Sequence, residues 1–113
     1  MPAYIVIRVA VKNPEAYREY TLHSPRIVAQ YGGRFLVRGG ESVTLEGPPS
    51  GDLLVVLEFP SLEQAQAFYH SPEYSKARAL REGGGDASFI AIDGYPDAAW
   101  QDVLAASNQL SFD

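Results

Sequence analysis

Residues 3–11 run in two apolar registers at once: Ile5, Ile7, Val9 and Val11 fall on one side, and Tyr4, Val6, Arg8 and Ala10 on the other. Strand side chains alternate between faces, so this spacing predicts a β-strand that is covered on both sides. Asn13-Pro-Glu15 then announces a helix: asparagine suits the cap, proline the first helical position, and glutamate the positive N-terminal end. Tyr17, Tyr20, His23, Ile27, Val28 and Tyr31 follow at helical spacing. Ser24-Pro25 repeats the start signal midway, which predicts either a kinked helix or two short helices meeting there. Tyr31-Gly-Gly33 is a stop, since glycine takes the left-handed conformation that ends helices.

Arg34–Arg38 reads as a second strand that Gly39-Gly40 turns or bulges, with Ser42–Leu45 as a short continuation. The composition of residues 47–52 is that of a loop. Leu53–Phe59 is apolar on both faces and is expected to be a central strand. Ser61 and Gln64 match a capping box for a helix carrying Ala65, Phe68 and Tyr69, and Ser71-Pro72 starts another that reaches about Arg81. The glycines at 83–85 with Asp86 end that helix. Ser88–Asp93 is the last strand, with Phe89 and Ala91 on one face and Ile90 and Ile92 on the other. The domain is placed at residues 1–96. Residues 97–113 form a tail, in which Asp97 is the expected cap of a short helix through Trp100, Val103 and Leu104.

Strand, helix, strand, strand, helix, strand is the order of an α+β, ferredoxin-like split βαβ unit: a four-stranded antiparallel sheet with helices on one face. Its other face is bare in a monomer, yet these strands are apolar on both sides. An apolar face of that extent marks association, and a two-fold homodimer pairing two sheets is the simplest cover.

Composition narrows the partners. The 113 residues are 46% hydrophobic and 20% charged, with a net charge of −5, which disfavours nucleic acid and anionic membranes. There is no cysteine, so thiolate chemistry and disulfides are excluded. No apolar run approaches the ~20 residues of a membrane span, and the N-terminus leads straight into a strand rather than a secretory leader. A cytoplasmic protein without membrane attachment is expected.

Two charges stand in otherwise apolar strands, Arg38 and Glu58. A buried charge is costly unless paired, so the two are expected to face each other across neighbouring strands. They act either as a structural ion pair or, with Arg38 at the mouth of a pocket between sheet and helices, as a grip on a carboxylate or enolate. His23 is the candidate general base, imidazole being the side chain suited to proton transfer near neutrality. It reads first as a half-buried histidine beside the Ser24-Pro25 break. Tyr17 and Tyr20 share its helix face and read first as core residues. His70 precedes a helix cap, and two histidines so far apart give no ligand spacing, so no metal and no cofactor are expected. The glycine pairs lack the pattern of a phosphate loop.

The set Ala3-Tyr4, Tyr17, Tyr20, Tyr31-Gly-Gly-Arg-Phe-Leu-Val-Arg-Gly-Gly40, Leu45-Glu-Gly47, Leu57-Glu-Phe-Pro-Ser61, Phe68-Tyr-His-Ser-Pro-Glu-Tyr74 and Arg81 resembles the domain-of-unknown-function 1330 family of the dimeric α+β barrel superfamily. Asn13 stands where the family has aspartate, and Phe68 where it has tryptophan. The resemblance spans residues 2 to about 96 and implies the ferredoxin-like fold and a homodimer, without a reaction. The wider superfamily includes cofactor-free and haem-dependent monooxygenases. The expectation is a small dimeric protein with a small-molecule pocket between sheet and helices, lined by Tyr20, Arg38, Glu58, Tyr69 and Arg81. As an enzyme it is expected to act without a cofactor on a small polar or aromatic compound. Arg38 then holds an anionic group, His23 moves a proton, and Tyr20 and Tyr69 shape the pocket. The competing reading is a non-catalytic binding or interaction module.

Overall fold

The computed structural model describes residues 1–111. The elements are β1 (Ala3–Val11), α1 (Pro14–Gln30), β2 (Arg34–Arg38), β3 (Leu53–Phe59), α2 (Leu62–Tyr69), α3 (Pro72–Leu80), β4 (Gly85–Asp93) and α4 (Asp97–Ser107). The four strands form one sheet in the order β2-β3-β1-β4, every neighbouring pair antiparallel, so the expected split βαβ architecture holds. β3 is interior, as its two apolar faces required.

The core lies between the sheet and α1–α3. Ala3, Ile5, Ile7 and Val9 of β1 and Val55, Leu57 and Phe59 of β3 are buried on that side, against Ile27 and Val28 of α1, Ala65 and Phe68 of α2, and Tyr74 and Ala77 of α3. The opposite face carries Val6 and Arg8 of β1, Leu54 and Glu58 of β3, and Ile90 and Ile92 of β4, and among the described residues the loop holding Ser50, which Arg8 reaches, lies against it. Ile90 is 62% and Ile92 53% exposed. The alternation is thus as read, but only one face is covered within the chain.

The caps follow their chemistry. Asn13 accepts from the amides of Glu15 and Ala16, Ser61 from Gln64, and Ser71 from Tyr74. α1 ends at Gly32, whose φ of +82° is the left-handed conformation expected there. Gly33 passes so close to the Phe59 ring that a Cβ would lie 2.5 Å from it.

Of the two forms expected around Pro25, one helix running through the proline is found rather than two short ones. Three details differ from the expectations. Residues 42–45 are loop, not strand. β4 begins at Gly85, because β1 still offers Val11 and Ala10 as partners there, and only the turn around Gly84, whose carbonyl accepts from Lys12 and Asn13, separates it from α3. Asp97 lies in the first turn of α4, which is capped by Pro96 without a side-chain bond.

α4 buries none of its residues. The radius of gyration, 17.2 Å, exceeds the ~13 Å of a compact chain of this length, consistent with a projecting α4. Phe112 and Asp113 of the expected tail lie outside the described residues.

Candidate functional site

β2 and β3 do not meet as expected. Arg34 stands opposite Glu58, and its Nε donates to Oε1 at 2.9 Å, while Arg38 stands opposite Val55. Glu58 therefore pairs with Arg34, and the Arg38–Glu58 couple is corrected. Antiparallel strands bring the start of β2 against the end of β3, which selects the first arginine rather than the second. A bulge between Phe35 and Val37 then alters the alternation, so that Phe35, opposite Leu57, and Arg38, opposite Val55, both lie on the helix side. Arg38 stacks over the Phe35 ring at 4.7 Å and donates to the Thr21 carbonyl at 2.8 Å. It does reach a cavity between sheet and helices, shared with Tyr17, Tyr20 and Ser24, but that cavity holds only about 50 Å³. This is space for a water or two, not for a substrate.

Tyr20 belongs to an aromatic core. Its hydroxyl shares a buried 2.8 Å hydrogen bond with that of Tyr74, whose ring also packs on Phe68 and Tyr69. Burial pushes the phenols of Tyr17, Tyr20 and Tyr74 above their ordinary value, so all three stay protonated at neutral pH and none serves as a base. His23 faces the other way. It lines a groove between α1 and α3 together with Arg26, Glu73 and Lys76, with Glu19 3.9 Å away on its own helix. His23 and Arg38 thus line separate spaces. The outer groove is larger, about 540 Å³, but its charges are of both signs, and Glu73 is already hydrogen-bonded by Tyr31 at 2.9 Å.

A third space has a different character. Between α2, the end of α3 and β4 lies a cleft of about 320 Å³. Its floor is Ala87, Phe89 and Ala91, the helix-side residues of β4, opposite Val9, Ile7 and Ile5 of β1. β4 is a sheet edge, and two alanines flanking one phenylalanine leave volume that larger side chains would fill. Gln66, Tyr69 and His70 form one wall, and Arg78 and Arg81 another. Tyr69 packs on Phe89 with ring centres 5.4 Å apart. Arg78 stacks over Tyr69 at 5.6 Å, and Arg81 lies against both Tyr20 and Phe89, at 5.3 and 5.1 Å. Among the described residues none that lines it is acidic. Neither arginine belongs to an ion pair among the described residues, and the buried Nε of Arg81 has no hydrogen-bond partner there.

Of the residues singled out in the sequence, Tyr69 and Arg81 share this cleft, Tyr20 and Arg38 share the small inner cavity, Glu58 lies on the open sheet face, and His23 lies outside. His70, Arg78 and Phe89 were missed as site residues. The available signal was Ala87-x-Phe89-x-Ala91 at strand spacing beside two arginines three positions apart, hence on one helix face. No three His, Cys, Asp or Glu side chains gather at a metal-binding spacing among the described residues. No helix among them is long and apolar enough to cross a membrane.

Residues 2–95 match the model of a domain of unknown function, DUF1330. The chain belongs to that family. The DUF1330 match stops short of α4, so that helix lies beyond the matched region. Among solved structures, the protein of unknown function RPA0582 from Rhodopseudomonas palustris is 21% identical, with a TM-score of 0.70 over 84% of this chain and 83% of that one. Rv0793 from Mycobacterium tuberculosis is 14% identical, with a TM-score of 0.55 over 87% and 99% of the two chains. A candidate antibiotic biosynthesis monooxygenase from Nitrosomonas europaea is 13% identical, with a TM-score of 0.54 over 84% and 92%. At these identities the likeness is one of fold, and it agrees with the ferredoxin-like architecture of this DUF1330 chain. No curated protein matches the chain.

Proposed function

We propose that this chain is a cytoplasmic homodimer that binds a small molecule in the cleft over β4. The observation that carries the reading is the cleft itself: some 320 Å³ with an apolar floor, aromatic packing and a few polar groups turned to one space, which is the usual make-up of a ligand site. Tyr69 and Arg81 are its anchors. The open sheet face supports the dimer. Val6, Leu54, Ile90 and Ile92 are too extensive an apolar surface to stay in water, and a second copy of the same face matches it by symmetry. The absence of cysteine suits a reducing compartment.

The second reading is a cofactor-independent enzyme using the same space. It is favoured by His70, which lines the cleft beside Arg78 and Arg81 and packs edge-on against Tyr69 at 5.4 Å. An imidazole and a guanidinium turned to one ligand are the parts of a proton transfer that creates an anion. Catalysis through His23 with Arg38 has no shared cavity to support it.

A fragment screen by ligand-observed NMR, followed on labelled protein, tests the site. Hits that shift the ring signals of Tyr69 and Phe89 support it, and a diverse library with no such hit overturns it. Native mass spectrometry of the full chain is expected to give two copies per particle. A monomer would overturn the face-to-face pairing.

A further inference from the structure

We infer that the cleft over β4 recognises a small aromatic carboxylate, a ligand class that rests on reading this cleft as the binding site. Two positive side chains, one from the last turn of α3 and one from its C-cap, enter a space whose described lining holds no acidic residue, in a protein whose net charge is −5. In so acidic a chain, two guanidiniums without a carboxylate partner among the described residues are an arrangement that needs a reason. Each is stacked on a ring that bounds or adjoins the cleft, Arg78 on Tyr69 and Arg81 between Tyr20 and Phe89. Stacking occupies the flat face of a guanidinium and leaves its N–H edge for hydrogen bonds, one of which Arg81 already makes with Tyr74. Arg81 is also desolvated beyond what its hydrogen bonds satisfy, since its Nε is buried without an acceptor. An anion at that guanidinium offsets this desolvation, whereas a cation would meet repulsion from both arginines and attraction from nothing.

The rest of the ligand is set by the floor. Phe89 with Ala87 and Ala91 gives the cleft an apolar floor, and the volume of about 320 Å³ sits at the low end of the range for ligand pockets. Together they fit one ring rather than an extended molecule. Carboxylate matches the fork of arginine in a two-point hydrogen bond. Free phosphate has the charge but leaves the apolar floor wet.

The probes are benzoate, its neutral counterpart benzamide, and inorganic phosphate, titrated into the full chain while amide signals of residues 66–70 and 78–91 are followed. The variant is Arg78→Met, which keeps an apolar stem at an exposed position and so preserves the fold. Benzoate is expected to shift these signals and to bind about tenfold or more tightly than benzamide, with that preference reduced in the variant, where Arg81 alone remains. Equal binding of benzoate and benzamide would retain the site and overturn the carboxylate. Phosphate binding as tightly as benzoate would overturn the aromatic body. Benzoate preference undiminished in Arg78→Met would overturn the role of the arginine wall. Shifts confined to other residues, or none with any probe, would overturn the inference together with the site on which it rests.

Discussion

Arg38 donates to the main-chain carbonyl of Thr21 at 2.8 Å, and Thr21 is the residue four before Pro25. In an unbroken helix that carbonyl accepts from the amide of residue 25, which proline lacks. The guanidinium therefore takes the place of the missing helical donor. This explains how α1 continues through a proline, and it gives Arg38 a structural task in place of the one expected from Glu58. Arg38→Met is expected to cost about 1 kcal/mol, the scale of a partly exposed hydrogen bond to a charged donor. In a Pro25→Ala background, where the amide is restored, the same change is expected to cost much less. Equal costs in the two backgrounds, measured by urea unfolding, would show that the contact does not substitute for the helical bond.

The open sheet face gives a sharper test of assembly. Val6 is at the middle of an interior strand, between Val56 and Ile90. In a face-to-face dimer, Val6→Glu buries a carboxylate from each copy, while in the monomer the residue is already 43% exposed. The dimer dissociation constant is expected to rise by about a hundredfold or more, with the monomer still folded. Sedimentation velocity decides, and a Val6→Glu dimer as tight as the parent would place the interface elsewhere.

How much of this was legible follows from the range of each interaction. Strand faces, the caps Asn13, Ser61 and Ser71 and the glycine stop at Gly32 depend on neighbours a few residues away, and alternation and cap chemistry identified them, though not the cap of α4. Strand register across β2 and β3 does not have that property. Residues 39–52 form a long connection rather than a tight turn, and only a tight turn ties the register to the sequence. The choice of Arg34 over Arg38 as partner of Glu58 was therefore open, and the bulge that turns Arg38 to the helix side leaves no mark in a period-two count. The cleft was hidden for another reason. A cavity is made by what is small, and Ala87 and Ala91 read as ordinary strand residues until β4 is known to be the edge that α2 and α3 only partly cover.

The paired phenols of Tyr20 and Tyr74 join α1 to α3 across 54 residues of sequence. Both residues are buried, and Tyr74 also has Arg81 as a partner, so it is removal of the Tyr74 hydroxyl that strands that of Tyr20. Tyr74→Phe alone is expected to cost about 1–2 kcal/mol, chiefly the penalty of an unsatisfied buried hydroxyl. Adding Tyr20→Phe is expected to recover part of that loss, since no tyrosine hydroxyl of the pair is then left unpaired, although Arg81 still lacks its bond to Tyr74. A double-mutant cycle in urea measures the coupling, and strictly additive costs would show that the two hydroxyls do not depend on each other.

Acid sensitivity has a local source at the start of α3. Glu73 lies in the first turn behind the Ser71 cap. Its carboxylate is held below the ordinary value of 4.5, first by its own backbone amide and then by the Tyr31 hydroxyl, with burial opposing. A carboxylate whose folded value is depressed binds its proton more readily in the unfolded chain. Its contribution is therefore complete above the ordinary value, and it is lost as the pH falls from there through the folded one. Glu73→Gln is expected to lower the melting temperature at neutral pH, because the charge at the positive end of α3 is gone while the amide still offers Tyr31 an acceptor. The gap between the two proteins should close as the pH drops below the glutamate range, where the parent's carboxylate is itself neutral. Melting curves at neutral pH and well below 4.5 provide the check. A gap of constant size across that interval would mean that Glu73 acts through its shape and hydrogen bond rather than through its charge.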